Sequence, residues 1–155
     1  MFKKILITVI FTLSLSNVLA QDKNTIYMET AGAAILYSFN YERNITDKIT
    51  ARVGYSTVPF SSEDTGEELN FTIMPIMGNY LLGSGNHKIA LSAGVINVSA
   101  DGEGEEGEYS LDLGMLTAAG VGYRYHRSSG GFFFNLNVGL APIPGWPGVA
   151  FGWTF

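Results

Sequence analysis

From Phe132 to Leu140 every second residue is apolar: Phe132, Phe134, Leu136, Val138 and Leu140, with Asn135, Asn137 and Gly139 between them. A period of two belongs to a β-strand with two unlike faces, whereas a helix repeats every 3.6 residues. The last segment repeats it, with Val149, Phe151, Trp153 and Phe155 set against Ala150, Gly152 and Thr154. Tyr109 to Tyr125 alternate on odd positions against Asp112, Gly114, Gly120, Gly122, Arg124 and His126. Ile35 to Tyr41 and Ala51 to Tyr55 do the same against Ser38, Asn40, Glu42 and Arg52. A chain patterned in this way over most of its length predicts an all-β fold.

Alternation alone does not say which face is inside. In a soluble barrel the polar face meets water and should be rich in Lys and Glu; here it is mostly Gly, Ser, Ala, Asn and Thr. Only 15% of the residues are charged, against about a quarter in soluble domains. Small polar side chains fit the narrow interior of a small barrel, which leaves the apolar face to lipid. Tyr109, Tyr123, Tyr125, Trp153 and Phe155, near strand ends, are then expected at the membrane interfaces. The competing reading is a soluble lipocalin-like binding barrel, with the apolar face as its interior.

Turn signals fall at Thr46-Asp47, 61–67, Ser84-Gly85-Asn86, 100–107, 128–131 and Pro142 to Pro147, short turns alternating with longer loops. These six breaks give seven segments. An up-and-down barrel with both termini on one side needs an even number, so the first stretch is split near Ala31 to Ala33, adding a strand from Asn24 to Thr30. The expected fold is an eight-stranded antiparallel up-and-down transmembrane β-barrel over residues 21–155.

Residues 1–20 read as a signal peptide. Lys3 and Lys4 precede an apolar run from Ile5 to about Leu15, and Val18 and Ala20 place small residues before Gln21. The run is shorter than the roughly 20 residues of a membrane-spanning helix. Without Lys3 and Lys4 the chain keeps seven basic residues against 14 acidic ones, which argues against a nucleic-acid partner. The absence of cysteine excludes disulfides, thiolate metal sites and cysteine nucleophiles.

With its signal peptide, Gly-rich alternation, acidic loops and final strand Val149-Ala150-Phe151-Gly152-Trp153-Thr154-Phe155, the chain resembles the small outer-membrane β-barrels of Gram-negative bacteria, nearest the eight-stranded outer-membrane protein A and X types. Phe151, Trp153 and Phe155 resemble the C-terminal signal that such proteins present to the barrel-assembly machinery. The resemblance implies outer-membrane localisation after export, a surround of outer-membrane lipid and lipopolysaccharide, and a monomer. It carries no functional residues, because these families are diverse in function.

In such a barrel Glu29, Glu42, Arg52, Asp112, Arg124 and His126 are expected to point into the lumen and to pair there. Glu42 and Arg52 lie five residues either side of Asp47, so a symmetric turn predicts an ion pair between them. Nine of the 14 acidic residues fall in or beside two outer loops: Glu63, Asp64, Glu67 and Glu68, then Asp101, Glu103, Glu105, Glu106 and Glu108. Their spacing does not match a calcium-binding loop, and the expectation is solvated, mutually repelling loops with no metal and no cofactor. Divalent ions shared with lipopolysaccharide phosphates, or a basic partner, are the other uses such loops suit.

His126-Arg127-Ser128 resembles the His-x-Ser element of outer-membrane lipid A deacylases, which implies a Ser nucleophile, a His base and an acidic orienter. No acidic residue follows Asp112, and the turn holding His126 lies on the side away from the outer leaflet, so no catalysis is expected. The reading is an integral outer-membrane barrel with a structural, adhesive or surface-interaction role. The alternative is a carrier or narrow pore for a small, possibly hydrophobic solute, which an open lumen or a side opening would favour.

Overall fold

The computed structural model describes residues 24–61, 68–104, 107–127 and 129–155. The signal-peptide segment 1–20, Glu63, Asp64, Glu67, Glu105, Glu106 and Ser128 lie outside the described residues.

Eight antiparallel strands close into a barrel in chain order. They are β1 (Asn24–Ala31), β2 (Tyr37–Asn44), β3 (Ile49–Ser61), β4 (Glu68–Leu82), β5 (His87–Gly104), β6 (Gly107–His126), β7 (Gly131–Ala141) and β8 (Pro147–Thr154). The break inferred from parity alone exists: β1 ends at Ala31, and a single 3₁₀ turn, Gly32–Ala34, leads to β2. Closure pairs β1 with β8 from Thr25↔Thr154 to Ala31↔Gly148, and the amides of Asn24 and Phe155 bond each other's carbonyls at 3.0 and 2.8 Å. Closure leaves no strand edge unpaired over the height that all eight strands share.

On β1, β2, β7, β8 and the lower half of β3 the faces sort as the alternation requires, whereas on β4 the apolar set Ile73, Met77 and Leu81 turns inward. Met28, Phe39, Leu136, Phe151 and Trp153 are exposed on the outer wall, while Thr25, Glu29, Ser38, Asn40, Glu42, Thr50, Arg52 and Asn135 are buried inside. A soluble lipocalin-like barrel would show the opposite arrangement.

The strands differ in height. β1, β2 and β8 have 8 residues each and β7 has 11, but β3 to β6 run to 13, 15, 18 and 20. The β2–β3 register ends at Phe39↔Tyr55 and the β6–β7 register at Ala119↔Ala141. Above those points β3 to β6 continue as a four-stranded extension, in which β6 runs on from Ala118 to Gly107 without β7. At about 3.3 Å per residue this is roughly 40 Å of strand.

The 3₁₀ turn folds inward instead of out into solvent. Ala34 is fully buried against Ile73, Met77, Ile96 and Ala118. The inward bend places Ala31 at φ 58° and Ile35 at φ 72°, a left-handed backbone that costs of the order of 1–3 kcal/mol for each non-glycine residue. Gly32, at φ 67°, sits over the Glu29 carboxylate; a Cβ there would lie 2.5 Å from the carboxyl carbon. Gly32→Ala should therefore lower stability by about 1–3 kcal/mol, through the φ penalty and displacement of Glu29. Urea unfolding of the two chains in lipid vesicles measures this directly.

Candidate functional site

The lumen has two storeys. The storey nearer the short turns is filled. Phe133, fully buried, stacks on Tyr27 with ring centroids 4.8 Å apart, and the Arg124 guanidinium carbon lies 5.1 Å from the Phe133 centroid. Thr25 and Thr154 share a hydrogen bond of 3.0 Å across the β1–β8 seam.

Two ion pairs cross this storey. Arg124 donates from Nη1 to Glu42 Oε1 at 2.5 Å and from Nη2 to Oε2 at 3.1 Å. Asn79 Nδ2 donates to the same carboxylate at 3.0 Å and is in turn held by Ser92, whose hydroxyl donates to Asn79 Oδ1 at 2.6 Å. Arg52 Nη1 donates to Glu29 Oε2 at 3.2 Å and to the Tyr27 hydroxyl at 3.0 Å, and Asn137 Nδ2 donates to Glu29 Oε1 at 2.7 Å. Seven of the eight strands contribute to one connected polar layer, with both arginines and both glutamates at least nine-tenths buried.

This pairing corrects the expected one. Glu42 and Arg52 are register neighbours, as the symmetric turn requires, but they do not form the ion pair. Each is long enough to reach past its neighbour toward the barrel axis, and the heads meet partners from other strands: Arg124 from β6 takes Glu42, and Glu29 from β1 takes Arg52. Of the six residues expected in the lumen, Glu29, Glu42, Arg52, Arg124 and His126 are buried there.

Asp112 is exposed on the outside, where its Oδ1 accepts a hydrogen bond from the Gly114 amide at 2.9 Å. Val98 pairs with Gly114 but Ser99 with Asp112, so Leu113 is an extra residue in β6, and Gly114 takes φ 93°. A one-residue bulge exchanges the faces of everything beyond it. The unbroken alternation from Tyr109 to Tyr125 conceals this. For the same reason Tyr109, expected in a membrane girdle, falls on the inner face.

His126 lies edge-on to Phe133, and neither ring nitrogen has a hydrogen-bond partner among the described residues. Among the described residues no carboxylate orients it.

The upper storey is an apolar cavity of about 600 Å³. Ile73, Met77, Ile96, Leu116 and Ala118 line its wall, Ile35, Leu36, Ile143 and Trp146 line its rim, and Arg52, Asn79, Arg124 and Asn135 line its floor. Leu116 is the register partner of buried Ile96 yet is 48% exposed, because its side chain faces this space.

The cavity continues onto the inner face of the extension, where two rows run across four strands: Val58–Phe71–Ala100–Leu111 and Phe60–Leu69–Gly102–Tyr109. Register neighbours share a face. Phe60, at 59% exposed, and Leu111, at 50%, have no facing wall among the described residues. The intervening rows on the outer face are Thr57–Thr72–Ser99–Asp112 and Pro59–Asn70–Asp101–Ser110. Below, the outer surface is apolar and the inner polar; in the extension the two are reversed. Glu68, Glu103 and Glu108 are register neighbours in the next row up.

Closure in chain order, an apolar outer wall and a packed polar lumen together decide the architecture. The fold is that of the small eight-stranded outer-membrane barrels. The N-terminal β-barrel domain of Pseudomonas aeruginosa OprF is similar over 88% of this chain and 100% of that one, with TM-score 0.58 and 16% identity. Ail, the attachment invasion locus protein of Yersinia pestis, in complex with the heparin analogue sucrose octasulfate, is similar over 88% and 97%, with TM-score 0.51 and 10% identity. No family model matches the sequence, and no curated protein does.

Within that fold, Asn135 and Asn137 were legible as inward residues because they sit on the polar face of β7; Asn79 was not, because its face of β4 also carries Ile73, Met77 and Leu81. Tyr27 and Phe133 were not, since an aromatic ring on either face satisfies the same alternation.

Proposed function

We propose that the chain is an integral outer-membrane barrel, exported by its N-terminal signal, folded as a monomer through the Phe151-Trp153-Phe155 signal, and serving a surface-interaction role without catalysis. The observation that carries this reading is the reversal of polarity along β3 to β6: an outer wall that is apolar over the height of the short strands and polar above it is what a bilayer boundary demands. The extension then stands in the lipopolysaccharide layer or beyond it. Glu68, Asp101, Glu103 and Glu108 on its strands, with Glu63, Asp64, Glu67, Glu105 and Glu106 next to them in sequence, suit a basic partner, or phosphates bridged by divalent ions, better than a polyanion.

The filled lower storey supports a barrel that does not conduct, because the ion pairs and the Tyr27–Phe133 stack occupy its cross-section. Gel mobility with and without boiling is the first test, and a heat-dependent shift of the outer-membrane fraction is expected. Single-channel recording in planar bilayers should then stay at the level of the bare membrane. Protein recovered in solution without detergent would overturn the membrane reading, and steady conductance above the bare bilayer would overturn the closed lumen.

A further inference from the structure

The upper storey is built differently from the plug beneath it. An eight-stranded barrel has an interior only about wide enough for its own side chains, yet here about 600 Å³ stays free between apolar walls, within the range of small-molecule sites. Its floor carries polar atoms that the plug leaves unused. Among the described residues Arg52 Nε and Arg124 Nε are buried donors without an acceptor, and Asn135 Oδ1 is a buried acceptor without a donor. All three residues line the cavity and are more than nine-tenths buried. Buried groups of this kind ordinarily find partners. Above the cavity, the Val58 and Phe60 rows extend the apolar surface along the inner face of the extension, while its outer face stays polar.

We infer that this site binds a single unbranched acyl chain, with an oxygen-bearing head against the arginine floor and its tail along the apolar rows. The shape selects the class: a lumen this narrow admits a chain but not a folded protein segment or a second copy of the barrel. The chemistry agrees, since two cationic N–H donors at the closed end call for carboxyl oxygens and the walls above them, Ile73, Met77, Ile96 and Leu116, are apolar. The short β7 and β8 leave the Leu116 side of β6 without a neighbouring strand, which provides a lateral entry above Ala119. The inference rests on the membrane reading above, because the polarity reversal sets which end faces the outer leaflet.

The test uses the whole mature chain, refolded into phosphatidylcholine nanodiscs. The chain has two tryptophans, Trp146 at the cavity rim and Trp153 on the lipid face. In Trp153→Phe, saturated fatty acids brominated at the tail end should quench Trp146 saturably, at one acid per protein. Because an added methylene favours the lipid as much as the site, affinity counted per lipid-dissolved acid should stay level with chain length and fall once the tail outgrows the site. In Trp146→Phe the same acids should quench Trp153 only in proportion to their partition into lipid.

Leu116→Glu, made in the Trp153→Phe background, should weaken binding tenfold or more while keeping the unboiled gel mobility. If that variant loses the mobility, Leu116→Gln carries the same test. A bromoalkane of equal length should bind about tenfold more weakly than the acid, for want of the head contacts. Linear quenching of equal slope at both tryptophans, no upper limit on chain length, or unchanged binding in the Leu116 variant would overturn the proposal; an equally tight alkane would overturn the placement of the head. A chain with no heat-dependent mobility defeats the membrane reading, whereas one that has it and shows no saturable quenching defeats this inference alone.

Discussion

Glu42→Leu is expected to destabilise the barrel by about 3–5 kcal/mol, among the largest effects of any single substitution in this chain. The carboxylate accepts both Nη groups of Arg124 and one amide hydrogen of Asn79, and Arg124 is only 2% exposed. Deleting it leaves a cation buried beside an aromatic ring with no counter-charge. Arg124→Met in the same chain removes that cation, so the double variant should recover most of the loss and give a coupling energy of some kcal/mol. Equilibrium unfolding by urea in lipid vesicles, followed by unboiled gel mobility, measures all four corners of the cycle. A double variant no more stable than Glu42→Leu would mean that the pair is incidental and that Asn79 holds the layer.

Leu136→Arg should cost about 2–4 kcal/mol in the same assay, because Leu136 lies mid-strand on β7 and faces outward at 46% exposure into what we read as hydrocarbon. Ser110→Arg should change stability by less than about 0.5 kcal/mol. Ser110 is also exposed, in the same row as Asn70 and Asp101, but above the polarity reversal. Two outward-facing positions on one barrel wall would thus respond to the same side chain in opposite ways, and the contrast locates the edge of the bilayer. Equal costs at both positions would place the extension in lipid and remove the argument for a water-facing outer segment.

Much of the architecture is legible without coordinates, and particular residues show why. Phe132 to Leu140 states its own strand because side-chain direction in a strand is set by backbone geometry from one residue to the next. Gly, Asn and Ser on the other face declare a narrow interior for the same local reason. The split near Ala31 follows from counting, since a closed up-and-down barrel requires even parity. These are properties of neighbours in sequence, and sequence alone determines them.

The lumen is different. Arg124 and Glu42 are separated by 82 positions, and Arg52 and Glu29 by 23. Their pairing depends on which long side chains meet near the barrel axis, not on which backbones are adjacent. Asp112 leaves the lumen because Leu113 is inserted opposite a bond between Val98 and Ser99, and a bulge of one residue has no mark in a run where both odd and even positions tolerate small or apolar side chains. Strand height, which creates the extension and the cavity beneath it, depends on where each register stops. Alternation separates two faces because it is local; which face turns inward on β4 and beyond the bulge, the ion-pair partners and the cavity were decided only when closure brought distant strands around a common axis.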